Sequence, residues 1–332
     1  MDGTQSAAFA AMSVFGEIRQ AAAAVARQAR YVRIDDAKLE ELAQRLKAGA
    51  DDLPAIDPAH LRLDTSEATV AFVVTLDAVN FGSGWFPVLR KPAGLSGYFT
   101  IARALHQHFQ QRGAWSTPEL VALRARDCAR VFGQDLANRG AAELMELFAR
   151  SLADLGRFIE ARCDGSFEAL VASADGSAER LVDRLREMPL YRDVSLYGGL
   201  EVPLYKRAQI TAWDLALAFD GRALGRFEDL EALTIFADNL VPHVLRCEGV
   251  LRYDPELAGR IDAAELLPAG SAEEIEIRAV ALHAVERMVD LLAEADASPR
   301  LTASRLDQLL WNRGQRPTFK ARNRHRTRTV YY

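Results

Sequence analysis

An all-α fold, or one nearly so with at most a few short strands, is what this 332-residue sequence predicts. Three observations point to it. Apolar residues recur at three- and four-residue spacing wherever a pattern is visible, helix-start signals repeat along the chain, and strand-like runs are scarce.

In chain order, "FGEIRQAAAAVARQARYV" and "DAKLEELAQRL" carry alanine and leucine at helical spacing and read as packed helices. The stretch "ATVAFVVTLDAVNFGSGWFP", residues 68–87, reads as a helix to about Phe81 followed by a glycine-rich turn. "KPAGLSGY" reads as a loop. "STPEL" places Thr117 as the N-cap and Pro118 at the first helical position. "VSLYGGLEVP" is a further loop, and "LEVPLY" at 200–205 is a short β-prone piece. "YKRAQITAWDLALAF", residues 205–219, is a helix opened by Lys206 and Arg207. Pro242 has no N–H and is tolerated only in a first turn, so a helix begins near Asn239 or Leu240. "SAEEIEI" sets Ser271 and Glu274 at capping-box spacing. From Ser271 to Ala295 an apolar stripe runs through Ile275, Val280, Val285 and Leu291, long enough for a major helix. The closing "TVYY" is again β-prone. No repeat, low-complexity tract or Gly/Ser linker divides the chain, which predicts one domain over 1–332 whose basic end, 313–332, docks back onto it.

Composition narrows the function. Apolar residues at 49% and charged residues at 26% are ordinary for a soluble globular protein. A net charge of −5 argues against duplex DNA, which demands a broad basic face. A small anion needs only a local basic pocket. No run is long and apolar enough for a membrane span, and Asp2 precedes the first apolar stretch with no basic residue, unlike a secretory signal. Cys128, Cys163 and Cys247 are too few and too scattered for a disulfide framework or a thiolate metal site, which predicts a reduced, cytoplasmic setting.

Four constellations carry possible chemistry. If residues 68–81 are helical, Asp77, Asn80 and Phe81 share a face with Val73 and Val74. Asp77 and Asn80 either cap the following loop or, with Phe81, Trp85 and Phe86, line a pocket for a planar heterocycle, with Gly82 and Gly84 letting it approach the backbone. Lys206 and Arg207 open a helix whose dipole they oppose, so they either lie on the surface or face an anion; Trp213 and Asp214 follow two turns later. Asp238 stands at the mouth of the helix containing Pro242, as a cap or as a functional carboxylate. The end "LDQLLWNRGQRPTFKARNRHRTRTVYY" holds Arg313, Arg316, Lys320, Arg322, Arg324, Arg326 and Arg328, a nucleic-acid-like density of charge. Its aromatic finish implies docking, and Asp307 and Trp311, one turn apart, share a face beneath it. His106 and His108 diverge on a helix, and no HExxH or spaced Cys/His set predicts a metal. GxGxxG, GxxxxGK[ST] and GxSxG are absent, so no nucleotide cofactor is predicted.

Taken in order, "LDAVNFGSGWFP", "YKRAQI", "FADNLVPHVL", "LDQLLW" and "HRTRTVYY" resemble the queuosine salvage family of queuosine 5′-phosphate N-glycosylases, from about Val14 to the final tyrosine. The resemblance implies a helical domain similar to helix-hairpin-helix DNA glycosylases. It also implies hydrolysis of the N-glycosidic bond of queuosine 5′-monophosphate to release queuine, for salvage into tRNA modification. The residues before Asp238, "ALGRFEDLEALTIF", lack the hairpin that grips DNA, which suits a free nucleotide. The family pattern implies Asp238 as the catalytic carboxylate, stabilising positive charge on the ribosyl carbon, with Lys206 as its cationic partner. Asp307, Asp77 and Asp214 become candidates for the base edge or the queuine amine, with Asp307 favoured by its motif. Phe81, Trp85 and Phe236 are candidates for stacking, and Asn80, His243 and Trp311 for substrate contact. Arg207 or a tail residue would hold the phosphate. The expected partner is a nucleotide bound by a monomer, with no DNA, membrane or metal. Two other readings compete: a DNA glycosylase with Lys206 as a Schiff-base lysine, and a non-catalytic binder of modified nucleosides or RNA.

Overall fold

Helix propensity at the N-terminus is realised at once. In the computed structural model, which describes residues 12–48, 58–294 and 301–332, the first helix is α1 (Val14–Gln28), capped by the Ser13 hydroxyl accepting from the Gly16 N–H. It buries Phe15, Ile18, Ala22 and Val25 along one stripe. The start of the chain, including Asp2, lies outside the described residues, as does Ala295.

Then follow α2 (Asp36–Ala48), α3 (Ser66–Ala78), α4 (Gly97–Arg112), α5 (Thr117–Ala122), α6 (Ala125–Val131) and α7 (Arg139–Cys163). The second half holds α8 (Phe167–Ala172), α9 (Ala178–Leu185), α10 (Lys206–Ala218), α11 (Leu240–Cys247), α12 (Pro255–Asp262), α13 (Ala272–Glu294), α14 (Ala303–Gly314) and α15 (Pro317–Lys320). One apolar core runs from Val14 to Leu310. The fold is mostly α, as the sequence predicts.

The strands are few and short. β1 (Val32–Ile34) pairs antiparallel with β4 (Leu251–Tyr253), setting Val32 opposite Tyr253. β2 (Val194–Tyr197) pairs with β3 (Leu200–Pro203), so "VSLYGGLEVP" is a hairpin rather than a loop. Gly198 and Gly199, with φ of 56° and 86°, supply the left-handed two-residue turn that suits such a connection. "TVYY" forms no strand; its residues pack irregularly against the domain.

Two boundaries differ from expectation. Ser116, not Thr117, caps α5, in a full capping box with Glu119, because the hydroxyl must precede the proline by two positions to reach that N–H. Helix α3 stops at Ala78 rather than running to Phe81. The Ala78 carbonyl is taken by the Arg207 Nη1 at 2.7 Å and the Ser151 hydroxyl at 2.6 Å, which removes it from the helical ladder. This settles the odd placement of Arg207 in the first turn of α10: it meets the negative end of α3 rather than its own dipole.

Candidate functional site

Where the ends of α3, α10, α11 and α14 meet the carboxy-terminal segment, they enclose a cavity of about 530 Å³. Its walls are chemically unequal. Tyr98, Trp213, Phe236 and Trp311 give an aromatic lining, Asp214, Asp238 and Asp307 an acidic one, and Lys91, Lys320, Arg324 and Arg326 a basic rim.

Asp238 precedes α11, and its Oδ1 accepts from the Leu240 N–H at 2.7 Å and the Val241 N–H at 3.1 Å. Both readings of this residue therefore coexist. One oxygen caps the helix, and Oδ2 makes no hydrogen bond among the described residues of a side chain that lines the cavity. A cap fixes the carboxylate without consuming it.

Lys206 opens α10 directly after Tyr205, which is held in the left-handed region at φ 45°. It is 5% exposed, and its Nζ donates to the main-chain oxygen and Oδ1 of Asn80, each at 3.2 Å. Asn80 Nδ2 in turn donates to Asp77 Oδ1 at 3.2 Å. Burial lowers the Lys206 pKa, while the fields of Asp238, Asp77 and Asp214 oppose that shift. The lysine thus stands in the field of three acids.

Two of these are Asp77 and Asp214. Burial raises Asp77 to about 6 and pushes Asp214, which also feels Asp77, well above the usual carboxylate range. A further cavity acid is Asp307, on α14, whose Oδ1 accepts from the Phe236 N–H at 2.9 Å. Burial first, then the nearby Asp238, raises its pKa to about 8, so it is a neutral acid at pH 7. Trp311, one turn on, meets the rings of Phe99 at 5.9 Å and Tyr98 at 6.4 Å edge-on.

The cavity brings together Asp238, Lys206, Asp307, Asp214, Asn80, Phe81, Phe236 and Trp311 of the residues singled out from sequence. Four others stand outside its lining. Asp77 is fully buried behind Asn80. Arg207 is 2% exposed between the rings of Phe81 and Tyr191, with its Nη2 donating to the Leu190 carbonyl. Its terminal nitrogens are committed to main-chain carbonyls, so they do not reach a ligand. Trp85 donates its Nε1 to Glu143, and His243 Nε2 pairs with the Phe319 carbonyl. Gly84 does admit a close backbone neighbour, but it is the chain itself: a Cβ there would lie 2.6 Å from the Thr327 carbonyl carbon.

Three positions were not legible as site residues. Tyr98, the last residue of "KPAGLSGY", falls in the first turn of α4 rather than in a loop, and lines the cavity. Arg278 and Asp193 lie behind it: Arg278 Nε donates to the Ala237 carbonyl at 2.9 Å, and its two Nη atoms grip Asp193 at 3.0 and 2.7 Å. The signal was an arginine on the α13 face that also carries Ile275, Leu282 and Val285. Among the described residues, no His/Cys/Asp/Glu group is arranged to hold a metal, and no helix is long and apolar enough to cross a membrane.

A family model described as "Queuosine salvage protein" matches residues 59–332, a span that contains every cavity residue named above. The chain belongs to the queuosine salvage family. Similar proteins include a queuosine 5′-phosphate N-glycosylase/hydrolase of Sphaerobacter thermophilus, 37% identical over 313 residues, covering 93% of this chain and 95% of that protein. One of the same description from Dictyostelium discoideum is 33% identical over 269 residues, covering 80% and 79%. Another, from Mus musculus, is 29% identical over 338 residues, covering 95% and 98%. Membership of the queuosine salvage family thus spans the acidic, aromatic and basic walls together.

Proposed function

We propose that the chain hydrolyses the N-glycosidic bond of queuosine 5′-monophosphate, releasing queuine and ribose 5-phosphate for reuse in tRNA modification. The observation that carries this reading is the divided Asp238 carboxylate, with Oδ1 fixed by two N–H groups and Oδ2 left to the cavity beside Lys206.

Breaking a ribosyl C–N bond builds positive charge on C1′, and an anion held beside that carbon lowers the barrier. Queuine is a 7-deazaguanine and lacks the N7 that purine hydrolases protonate, so more of the barrier falls to this stabilisation. Water then adds its oxygen to C1′ on the face that Asp238 Oδ2 occupies, and that oxygen orients it and accepts its proton. The departing base takes up a proton in exchange, and Asp307, which lines the same cavity and whose pKa burial raises to about 8, is the candidate for that donor. Asp214, in the cavity wall, meets the donor groups or cationic amine of the base, while Phe236 and Trp311 cover its rings.

A free nucleotide suits this cavity better than a duplex. The segment before Asp238 consists of two short 3₁₀ turns, Ala223–Gly225 and Leu230–Ala232, and an extended run, with no helical hairpin to grip a backbone. Free thiols at all three cysteines accord with a cytoplasmic setting, and we take the working unit to be a monomer. The test is chromatographic. Purified protein incubated with queuosine 5′-monophosphate should release queuine, while guanosine 5′-monophosphate should remain intact; no release of queuine would contradict the assignment.

A further inference from the structure

We infer that Asp77 is a positioning residue: buried outside the cavity lining, it sets the direction of the Asn80 side-chain amide, and through it the way Lys206 presents its ammonium to the cavity. This deepens the hydrolase reading and rests on it for the reaction that Lys206 serves.

The contacts form a relay. Asp77 lies in the last turn of α3 and is fully buried. Three residues on, past the end of the helix, Asn80 Nδ2 donates to its Oδ1 at 3.2 Å. The main-chain oxygen and Oδ1 of Asn80 both accept from Lys206 Nζ, each at 3.2 Å. Asn80 and Lys206 line the cavity and Asp77 does not. Asp77 therefore acts on the site only through its neighbours.

Donor and acceptor chemistry gives the relay its direction. A carboxylate only accepts, so ionised Asp77 meets the NH2 end of the amide and turns Oδ1 toward Lys206, which only donates. The flipped amide would set a carboxylate against an oxygen and an ammonium against an NH2 group, leaving two buried charges unsatisfied. Asn80 takes two of the three ammonium hydrogens. Nζ makes no further hydrogen bond among the described residues, which leaves one N–H for the cavity, where Asp238 is the carboxylate whose field acts on it most strongly.

The relay depends on pH. Burial raises the Asp77 pKa to about 6, opposed by Asn80, Lys206, the Thr211 hydroxyl and Arg207. Asp214, on α10, and the Tyr98 and Tyr191 phenols also feel its charge. Above pH 6 the group is an acceptor only. Below it, a carboxyl O–H can donate to Asn80 Oδ1 and compete with Lys206 for that oxygen.

The test follows hydrolysis of queuosine 5′-monophosphate by the full chain carrying Asp77→Ala, which removes the acceptor, or Asp77→Asn, which keeps the shape but lets the two amides pair either way round. At pH 7, kcat for D77A should fall at least about tenfold with KM within about threefold of the parent's, and kcat for D77N should fall in the same direction. In the parent, kcat should decline as pH falls through about 6, and D77N should lack that limb. The folded protein holds the Asp77 proton to a higher pH than the unfolded chain does, so removing the charge in D77N should leave Tm at pH 7 no lower than the parent's, which separates lost rate from lost folding. Because Asp77 acts through Asn80, adding Asp77→Ala to Asn80→Ala should slow kcat by less than about twofold more. A parent-like kcat and acid limb in D77N, or a D77A loss that adds in full to that of N80A, would overturn the assignment. If the parent turns over nothing, the hydrolase reading fails by itself, and the crystal structure of D77A decides the relay alone. Lys206 Nζ withdrawn from Asn80 Oδ1 supports it, and both contacts retained overturns it.

Discussion

Arg278 and Asp193 form a bidentate pair that joins the backbones on either side of the site. Their side chains are 1% and 3% exposed, and the contacts are 3.0 and 2.7 Å. Asp193 Oδ2 also accepts from the Lys206 N–H at 3.2 Å, and Arg278 Nε holds the Ala237 carbonyl next to Asp238. The pair therefore sets Lys206 and Asp238 relative to each other. Removing Asp193 leaves the buried Arg278 with only Glu274 Oε1, at 3.6 Å, as a counter-charge, so Asp193→Asn should lower stability by about 3–5 kcal/mol in urea unfolding. In the fraction that stays folded, kcat should fall more than KM rises. A loss below about 1 kcal/mol, the range of an exposed pair, would show that the pair is dispensable.

Gly84 fixes the carboxy-terminal segment by having no side chain. Gly84→Ala would push a methyl group into the Thr327 carbonyl and the Arg328 N–H, which are backbone groups that cannot rotate away. The expected loss is about 1–3 kcal/mol, with a lower kcat/KM because Arg324 and Tyr332 ride on the same segment. Unchanged unfolding and turnover would mean that this segment does not form the cavity wall in solution.

Asp307 ties the site to pH. Its folded-state pKa of about 8 lies above the unfolded carboxylate value of roughly 4, so the folded protein holds a proton that the unfolded chain releases. That contribution to stability is present at low pH and is lost as pH rises toward 8. Asp307→Asn should therefore flatten the decline of Tm between pH 5 and 8. As a proton donor, Asp307 should also make kcat/KM fall above pH 8, a limb the asparagine variant lacks. An identical pH profile in both proteins would remove Asp307 from the reaction.

Sequence revealed what local chemistry dictates and missed what distant parts of the chain decide. The start of α13 is legible because Ser271 Oγ accepts from the Glu274 N–H three residues on, at 3.3 Å. Asp307 and Trp311 share the cavity because one helical turn separates them. β1 and β4 were not legible: each has three residues and gains its meaning from a partner more than two hundred positions away. Arg207 looked like a surface cation or an anion ligand because nothing local tells that α3 ends against it. Arg278 hid in an apolar stripe, since its partners Asp193 and Ala237 come from other segments.

The central claim is that one oxygen of Asp238 caps α11 and the other does the chemistry. Asp238→Asn separates the two, because the amide oxygen can still accept from the Leu240 and Val241 N–H groups while the negative charge is gone. Single-turnover hydrolysis of queuosine 5′-monophosphate by this variant, with its Tm measured alongside, tests the claim directly. The account predicts a Tm close to the parent's and a rate lower by about 10²–10⁴-fold. A rate within a few-fold of the parent would reduce Asp238 to a helix cap and contradict the account.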